Sequence, residues 1–225
     1  MKEKTAIIVG ATGLTGSHCL QYLLANNHYT KVIKLTRRDV NMQHEKLEQQ
    51  IINFDKLVDY KKLIKADDIF CCLGTTIKKA GSKEAFRKVD FEYPYQVGKI
   101  ALENGAKRMF IVTALGADDK SFVFYNKVKG EIENVMAELP FEALHIFRPS
   151  LLLGDRKEHR RGESIATSLY SIIEKIMLGP LAKYKGIEAK TVAKVMVEVA
   201  TKNEQGIFVY ESQKIQQIFD KQMSI

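Results

Sequence analysis

A tyrosine and a lysine stand four residues apart in the segment VFYNKVKGEI, where they are Tyr125 and Lys129. Residues at positions i and i+4 lie side by side on a helix, so a predicted helix over residues 120–138 places the phenol beside the ammonium. A neighbouring positive charge favours the phenolate and lowers the pKa of a tyrosine from its ordinary value of about 10. Such a pair can give or take a proton during hydride transfer to a carbonyl. Solvated helix faces have the same spacing, so the surrounding elements must decide between the two interpretations.

Three glycines follow the first predicted strand, in the segment VGATGLTG. A strand, a glycine-rich turn and a helix in this order can bind a pyrophosphate, because the backbone approaches it closely and the free N–H groups at the helix start face its charge. The segment therefore predicts a dinucleotide site. Its candidate residues are Gly10, Thr12, Gly13, Leu14 and Gly16.

The second predicted strand ends in the segment KLTRRD, about 20 residues beyond the glycine loop. An acid at this place binds the ribose 2′-hydroxyl of NAD, whereas an arginine suits the 2′-phosphate of NADP. Arg37 and Arg38 therefore predict NADP(H) as the cofactor. In the alternative interpretation the two arginines are solvated and Asp39 is the ribose ligand.

Two further segments are candidates for cofactor contacts. Asp55, after the third predicted strand, could accept a hydrogen bond from the adenine amino group or could cap a helix. The segment CLGT ends the fourth predicted strand, and a glycine there lets the backbone run close to a cofactor. The candidates in it are Leu73, Gly74 and Thr75, and the alternative is a plain exit from the strand.

Strands and helices alternate along the first 150 residues, which predicts an α/β fold with a doubly wound parallel sheet, the Rossmann fold. We predict a cofactor-binding core over residues 1–150 and a small C-terminal cap over residues 151–225, packed together as one unit. In this layout Thr113, at the end of the fifth strand, and Tyr125 face the crevice at the carboxyl edge of the sheet. We therefore predict Tyr125 as proton donor, Lys129 as modulator of its pKa and ribose ligand, and Thr113 as the group that orients the carbonyl.

Composition limits the partners. The 225 residues carry a net charge of +8, which favours an anionic partner. The basic residues are spread along the chain without a nucleic-acid-binding signature, so we expect a small-molecule substrate, which the charge favours as an anion, and no nucleic acid. The three cysteines lack metal-ligand spacing, and no run is apolar enough to span a membrane. We predict a cytoplasmic protein without a metal ion.

The order of these motifs resembles the short-chain dehydrogenase/reductase superfamily, in particular its small atypical branch. Within that branch the segments CCLGTTIKKAGS, VTALGAD, YNKVKGEIE and FRPSLLLGDRKE are similar to the Tat-interacting-protein-like oxidoreductases, over nearly the whole chain. The resemblance implies an NADPH-binding fold with Tyr125 and Lys129 as the catalytic pair. It also implies that Arg148, Pro149 and Ser150 lie near the nicotinamide.

Two positions depart from the pattern of the superfamily. Thr113, followed by Ala114, replaces the usual active-site serine, and Asp90 is the nearest counterpart of the usual active-site asparagine. The predicted function is an NADPH-dependent oxidoreductase that reduces a carbonyl, or oxidises an alcohol, of a small molecule. The alternatives are an NADPH-binding regulator with little or no turnover and an enzyme similar to nucleotide-sugar epimerases. In related folds two such helices pair across a two-fold axis. By this analogy we expect the helices near 83–104 and 120–138 to form the interface of a homodimer.

Overall fold

A computed structural model describes residues 4–154 and 185–223 of the protein. Its strands are short, and the central ones are mostly buried, as expected for a sheet covered on both faces. They are β1 (Lys4–Val9), β2 (Tyr29–Thr36), β3 (Leu47–Ile51), β4 (Asp68–Cys71), β5 (Arg108–Val112), β6 (Ala143–Arg148), β7 (Leu152–Leu153), β8 (Ile187–Glu188) and β9 (Gly206–Glu211).

Seven of these strands form one parallel sheet in the order β3-β2-β1-β4-β5-β6-β9, and β7 pairs with β8 in a small second sheet. The direction of winding reverses between β1 and β4, which are hydrogen-bonded neighbours. Ligands of doubly wound folds bind in the crevice at such a reversal. The predicted fold class is confirmed.

The helices are α1 (Leu14–Ala25), α2 (Ile77–Ala80), α3 (Lys83–Arg87), α4 (Tyr93–Glu103), α5 (Phe124–Ala137), α6 (Ala189–Val199) and α7 (Ser212–Met223). A π-helical turn over Lys88–Glu92 joins α3 to α4, so the single helix predicted near 83–103 is interrupted. The segment after β3 forms a 3-10 helix over Phe54–Leu63.

The helix that carries Tyr125 begins later than predicted. Asp118 and Ser121 accept hydrogen bonds through their side chains from the backbone N–H groups of Lys120 and Val123, at 3.0 and 3.1 Å. Such side-chain turns compete with helix formation. They hold the chain in loop conformation until Phe124, and Tyr125 consequently lies in the first turn of α5.

Two apolar clusters lie on opposite faces of the sheet, because successive side chains of a strand point to opposite sides. One face of β1, with Ala6 and Ile8, packs with the core residues of α1 and α6. The other, with Ile7 and Val9, packs with those of α4, α5 and the 3-10 helix. The two layers of helices fix the carboxyl edge of the sheet, where the predicted site residues lie.

The described C-terminal elements belong to these layers. We predicted that residues 151–225 form a cap, but β9 is paired with β6 in the main sheet and α6 packs against α1. These elements therefore extend the core instead of covering its edge. The rest of the predicted cap lies outside the described residues, and the boundary at residue 150 stays a prediction.

A buried charged cluster fixes the amino edge of the sheet, away from the predicted site. Asp68 accepts hydrogen bonds from the Tyr29 hydroxyl and from Arg108 Nε, both at 2.7 Å. Arg108 also donates to the carbonyl of Lys202 at 2.8 Å. The cluster links β2, β4 and β5 to the chain after α6.

No helix within residues 4–154 and 185–223 has the length and apolarity of a membrane span.

Candidate functional site

The glycine loop joins β1 to α1 beside the neighbouring strand β4. Gly10 has a φ of 80°, and a Cβ there would lie 2.4 Å from the carbonyl carbon of Cys72. A Cβ on Gly16 would lie 2.1 Å from the carbonyl oxygen of Gly10. The loop therefore requires glycine at both places. It places Thr12, Gly13 and Leu14 at the start of α1.

The start of α1 has the properties of an anion site. Gly13 is its N-cap residue, and no described side chain caps this helix end. The first N–H groups of a helix have no partner within the helix, and its dipole favours negative charge there. A pyrophosphate would satisfy these groups, so the residues present fit a dinucleotide.

Arg37 and Arg38 are exposed in the loop directly after β2. The Thr36 hydroxyl donates to the carbonyl of Arg38 at 3.0 Å, which holds the loop against the strand end. Asp39, the alternative ribose ligand, accepts a hydrogen bond from Gln49 of β3. The two arginines therefore follow the carboxyl end of β2, and their contact with a 2′-phosphate stays a prediction.

Lys34 is a buried residue that the sequence prediction missed. It lies within β2, is only 1% exposed, and its ammonium has no hydrogen-bond partner among the described residues. Burial lowers its pKa from the ordinary value, although Asp39 opposes the shift. The signal was a charged residue inside the otherwise apolar strand segment VIKL.

Asp55 lies on the exposed start of the 3-10 helix that follows β3. Its carboxylate forms an ion pair with Lys88 at 2.7 Å and accepts a hydrogen bond from the Tyr93 hydroxyl. The N-cap alternative is wrong, because Asn53 caps this helix by accepting from the Asp55 N–H at 2.9 Å. The adenine contact stays a prediction.

The loop after β4 is tied to the π-helical turn. The N–H of Thr75 donates to Asp90 Oδ2 at 3.0 Å. Gly74 lies directly over this carboxylate: a Cβ on it would be 3.7 Å from Asp90 Oδ1 and 4.0 Å from Lys129 Nζ. Leu73 precedes them and packs at the margin of the core. The predicted cofactor segment therefore lies directly above Lys129.

Lys129 is buried beside Asp90. Its Nζ lies 2.7 Å from Asp90 Oδ1, and the two side chains are 4% and 0% exposed. Burial opposes the charged form of Lys129, but the carboxylate of Asp90 and the neighbouring Tyr125 outweigh burial and raise the pKa of the lysine. Lys129 is therefore an ammonium at neutral pH, and its charge is compensated from the π-helical turn.

Tyr125 is half-buried, one helical turn before Lys129. Its ring packs against Phe86 of α3, with 5.4 Å between the ring centroids. The arrangement brings together a phenol, an ammonium and the Gly74 loop at the carboxyl edge.

Thr113 is engaged by a second buried carboxylate. Its hydroxyl lies 2.5 Å from Glu133 Oε1, and Arg148 Nε also donates to Glu133, at 3.0 Å to Oε2. The hydrogen bond to Glu133 is the main cause that raises the pKa of Arg148. Glu133 is only 4% exposed. Sequence reasoning missed Glu133, although it lies one turn beyond Lys129 on the same helix.

Arg148, Pro149 and Ser150 are held in place by contacts within the protein. The carbonyl of Pro149 accepts from the Leu115 N–H at 2.9 Å. Ser150 accepts a hydrogen bond from the Ser212 hydroxyl at 2.9 Å, and its own hydroxyl donates to the carbonyl of Lys185. These residues follow β6 at the carboxyl edge, and their contact with a nicotinamide stays a prediction.

The predicted residues therefore lie around the carboxyl edge as two polar clusters. One contains Lys129, Asp90 and the Gly74 loop, with Tyr125 beside it. The other contains Thr113, Glu133 and Arg148. Among the residues that the structure describes, no three His, Cys, Asp or Glu side chains are placed to hold a metal ion.

Comparison with solved structures gives enzymes as fold neighbours. WbmH from Bordetella bronchiseptica, solved in complex with NAD+, matches with a TM-score of 0.70 and 15% identity over 99% of this chain and 82% of its own. The oxidoreductase ylbE from Lactococcus lactis matches with a TM-score of 0.67 and 15% identity over 98% and 97%. At these identities the likeness shows a shared fold.

Sequence relatives are closer. Protein HTATIP2 of Rattus norvegicus is 37% identical over 174 residues, which cover 76% of this chain and 72% of the relative. Protein FMP52, mitochondrial, of Candida albicans is 34% identical over 208 residues, covering 90% of each.

The names of the fungal relatives contradict one prediction. Several relatives are called FMP52, mitochondrial, so the prediction of a cytoplasmic protein is wrong. It rested on the absence of a recognisable targeting pattern, which is weak information about location.

A family match agrees with these relatives. Residues 27–182 match the HIM1 family, and the match to HTATIP2 confirms the predicted resemblance to Tat-interacting-protein-like proteins. The matched range begins within the segment between α1 and β2 and extends beyond β6. With most of the chain matched, the protein belongs to the HIM1 family.

Proposed function

We propose that this protein is an NADP(H)-dependent oxidoreductase that reduces a carbonyl, or oxidises an alcohol, of a small molecule. The observation that carries the proposal is the buried Lys129 ammonium one turn from Tyr125, directly below the Gly74 loop. The glycine cradle at Gly10 and Gly16 supports dinucleotide binding. The net charge of +8 supports an anionic substrate.

The chain's own part in the reaction is proton transfer. A bound nicotinamide nucleotide would supply or accept the hydride at the substrate carbon. During reduction the Tyr125 hydroxyl gives its proton to the carbonyl oxygen, which receives the π-electron pair and becomes the alcohol oxygen. The Lys129 ammonium stabilises the phenolate that remains. Oxidation uses the same groups in reverse.

Cofactor binding tests the first half of the proposal. We expect NADPH to bind more tightly than NADH, as followed by nicotinamide fluorescence. The double variant Arg37→Ala/Arg38→Ala should lose at least about tenfold in NADPH affinity, or ~1.4 kcal/mol, with NADH affinity little changed. Lys31→Ala, an exposed lysine farther back on β2, is the control for the general loss of charge. Absence of binding for both nucleotides would refute the proposed function.

A second candidate is an NADPH-binding regulator with little turnover. Two observations favour it: the Thr113 hydroxyl is engaged by Glu133, and the Lys129 charge is compensated by Asp90. Tyr125→Phe separates the candidates in a screen of anionic carbonyl compounds with NADPH. Turnover that Tyr125→Phe abolishes, with nucleotide binding kept, supports the oxidoreductase. A cellular phenotype fully maintained by the variant supports the regulator.

A further inference from the structure

Lys34 is a buried cation to which the proposed function gives no role. It lies within β2, is 1% exposed, and its ammonium has no hydrogen-bond partner among the described residues. Burial of a charged group without a partner is unfavourable, and lysines of globular proteins are almost never fully buried unless they are paired. An apolar side chain of similar length would avoid this penalty. Packing alone therefore does not explain a lysine at this position.

The register of the sheet places Lys34 just below the carboxyl edge. It is paired with Ile8 of β1 and with Gln49 of β3. Ile8 comes two residues before Gly10, the first glycine of the loop that we assign to the pyrophosphate. Thr36, the last residue of β2, lies on the same face of the sheet as Lys34, because side chains alternate along a strand.

The loop after β2 is attached to the neighbours of Lys34. The Thr36 hydroxyl donates to the carbonyl of Arg38 at 3.0 Å. Gln49, which is paired with Lys34 across the sheet, donates to the carboxylate of Asp39. The loop that carries the predicted ligands of the 2′-phosphate is therefore held to the residue after Lys34 on the same face of β2 and to its neighbour on β3.

We propose that Lys34 is a specificity-determining residue, whose buried charge attracts the 2′-phosphate of NADP(H) from beneath the loop of Arg37 and Arg38. The inference deepens the proposed function and rests on it for the identity of the cofactor. The ribose 2′ group of a dinucleotide lies at the carboxyl end of the second strand. Asp39 is the charged group that acts on Lys34 among the described residues, and it forms no hydrogen bond with the ammonium.

A buried charge is effective at this place because it is weakly screened. An exposed arginine acts through water and dissolved ions, whereas a charge in the protein interior acts through a medium of lower dielectric constant. A phosphate dianion in turn favours the charged form of Lys34, which burial disfavours. The interaction requires no direct contact between the ammonium and the phosphate. Part of the preference for NADPH should therefore remain when Arg37 and Arg38 are both replaced.

Lys34→Met tests the inference, because methionine keeps an unbranched side chain of similar length and removes the charge. We expect the affinity for NADPH to fall about tenfold or more and the affinity for NADH to change by less than about twofold. Nicotinamide fluorescence at constant ionic strength measures both. Lys31→Met is the matched control, because Lys31 is an exposed lysine of the same strand that is paired with Glu48. An unchanged preference in Lys34→Met, or an equal loss in Lys31→Met, would overturn the inference.

The stability of the protein without nucleotide gives a second test. Lys34→Met removes a buried charge that has no hydrogen-bond partner, so the midpoint of urea denaturation should rise. A lower midpoint, or a variant that does not fold, would show that the ammonium has a structural partner in the protein. Either result would overturn the inference.

The binding experiments separate this inference from the proposed function. A preference for NADPH that is reduced in Arg37→Ala/Arg38→Ala but kept in Lys34→Met refutes the inference alone. Absence of binding for both nucleotides refutes the proposed function and the inference with it. The triple variant Lys34→Met/Arg37→Ala/Arg38→Ala should bind NADPH and NADH with equal affinity. A triple variant that prefers NADPH as strongly as the double arginine variant would contradict the role of Lys34.

Discussion

Two buried carboxylates organise the polar side chains at the carboxyl edge. Asp90 compensates Lys129, and Glu133 joins the Thr113 hydroxyl to the Arg148 guanidinium. At this scale the sequence predicted the pair Tyr125 and Lys129 correctly as neighbours, because helical spacing is a local property. It could not predict the partners, because these reach the site from other elements.

The engagement of Thr113 changes what its hydroxyl can do. Its proton is directed to Glu133 or to the carbonyl of Phe147, at 2.5 and 3.3 Å. A hydroxyl has one proton to donate, so Thr113 can orient a substrate carbonyl only if it gives up this contact. Its predicted orienting role therefore stays a prediction that requires a rearrangement at Glu133.

Glu133→Gln should destabilise the folded protein. The amide can no longer compensate the partly buried Arg148, whose side chain is 27% exposed, and a broken buried ion pair costs several kcal/mol when both partners are fully buried. Because solvent screens the exposed part of Arg148, the loss should be smaller than for a fully buried pair. We expect the free energy of unfolding to fall by about 2 kcal/mol, as measured by urea denaturation.

Glu142→Gln is the matched control for that experiment. Its carboxylate pairs with Lys107, and both side chains are about half exposed. We expect a loss below about 1 kcal/mol for such a surface pair. Equal effects of the two substitutions would show that Glu133 has no special structural role.

At the scale of elements, the site depends on three connections after parallel strands. The loop after β1 brings glycines to the start of α1, the loop after β4 places Gly74 above Lys129, and the loop after β5 delays the start of α5 until Phe124. The first was predicted from its glycines. The late start of α5 was not, because two side-chain turns compete with a helix that periodicity alone would extend.

Gly10→Ala should be strongly destabilising. The φ of 80° already strains an L-residue by roughly 1 kcal/mol, and the added Cβ would lie 2.4 Å from backbone atoms of Cys72. Because a backbone cannot move away as a side-chain end can, we expect a total loss of about 3 kcal/mol or more in the free energy of unfolding. Thermal denaturation monitored by circular dichroism measures it.

Gly105→Ala separates backbone strain from steric overlap. Gly105 has a similar φ of 93°, but a Cβ there would meet nothing within 4 Å. We therefore expect Gly105→Ala to lower the free energy of unfolding only by the backbone strain, about 1 kcal/mol. If Gly10→Ala proved no worse than Gly105→Ala, the close approach of the glycine loop to β4 would be disproved.

At the scale of the whole molecule, an aromatic stack runs across three strands on the sheet face that packs against α1 and α6. Phe110 of β5, His145 of β6 and Phe208 of β9 stack, with centroid distances of 4.6 and 4.9 Å. His145 is fully buried, and its Nδ1 lies 3.0 Å from the Tyr210 hydroxyl. This stack joins the C-terminal strand to the core, and His145 is a core residue.

The stability of the protein should fall in mild acid because of His145. Burial, with a smaller contribution from Arg108, lowers the pKa of His145 to about 4 in the folded state, against about 6.5 in the unfolded chain. Between these values the unfolded chain binds the extra proton, so stability decreases as the pH falls from about 6.5 to 4 and levels off below. The loss is roughly 3 kcal/mol.

His145→Phe isolates this contribution. The substitution keeps an aromatic ring between Phe110 and Phe208 but cannot titrate, so its unfolding free energy should depend less steeply on pH than that of the wild type. Urea denaturation at pH 7, 5.5 and 4 gives the comparison. Parallel pH curves for the two proteins would mean that His145 is not held neutral by the fold.

The sequence by itself determined the features that depend on neighbours along the chain. Alternating strands and helices fixed the doubly wound sheet, the glycine spacing fixed the loop at Gly10 and Gly16, and the helical period placed Tyr125 beside Lys129. Each of these follows from backbone conformation or from the repeat of one element, and both are local properties.

Only the tertiary structure decided which distant groups complete the site. It brought Asp90 onto Lys129 through a π-helical turn, placed Glu133 between Thr113 and Arg148, and added β9 to the sheet where we had predicted a cap. The physical reason is that a buried charge must find its compensation in space. The partner of a buried charge is set by the order of the strands in the sheet and by the kind of helical turn that carries the partner. A single segment of sequence contains neither.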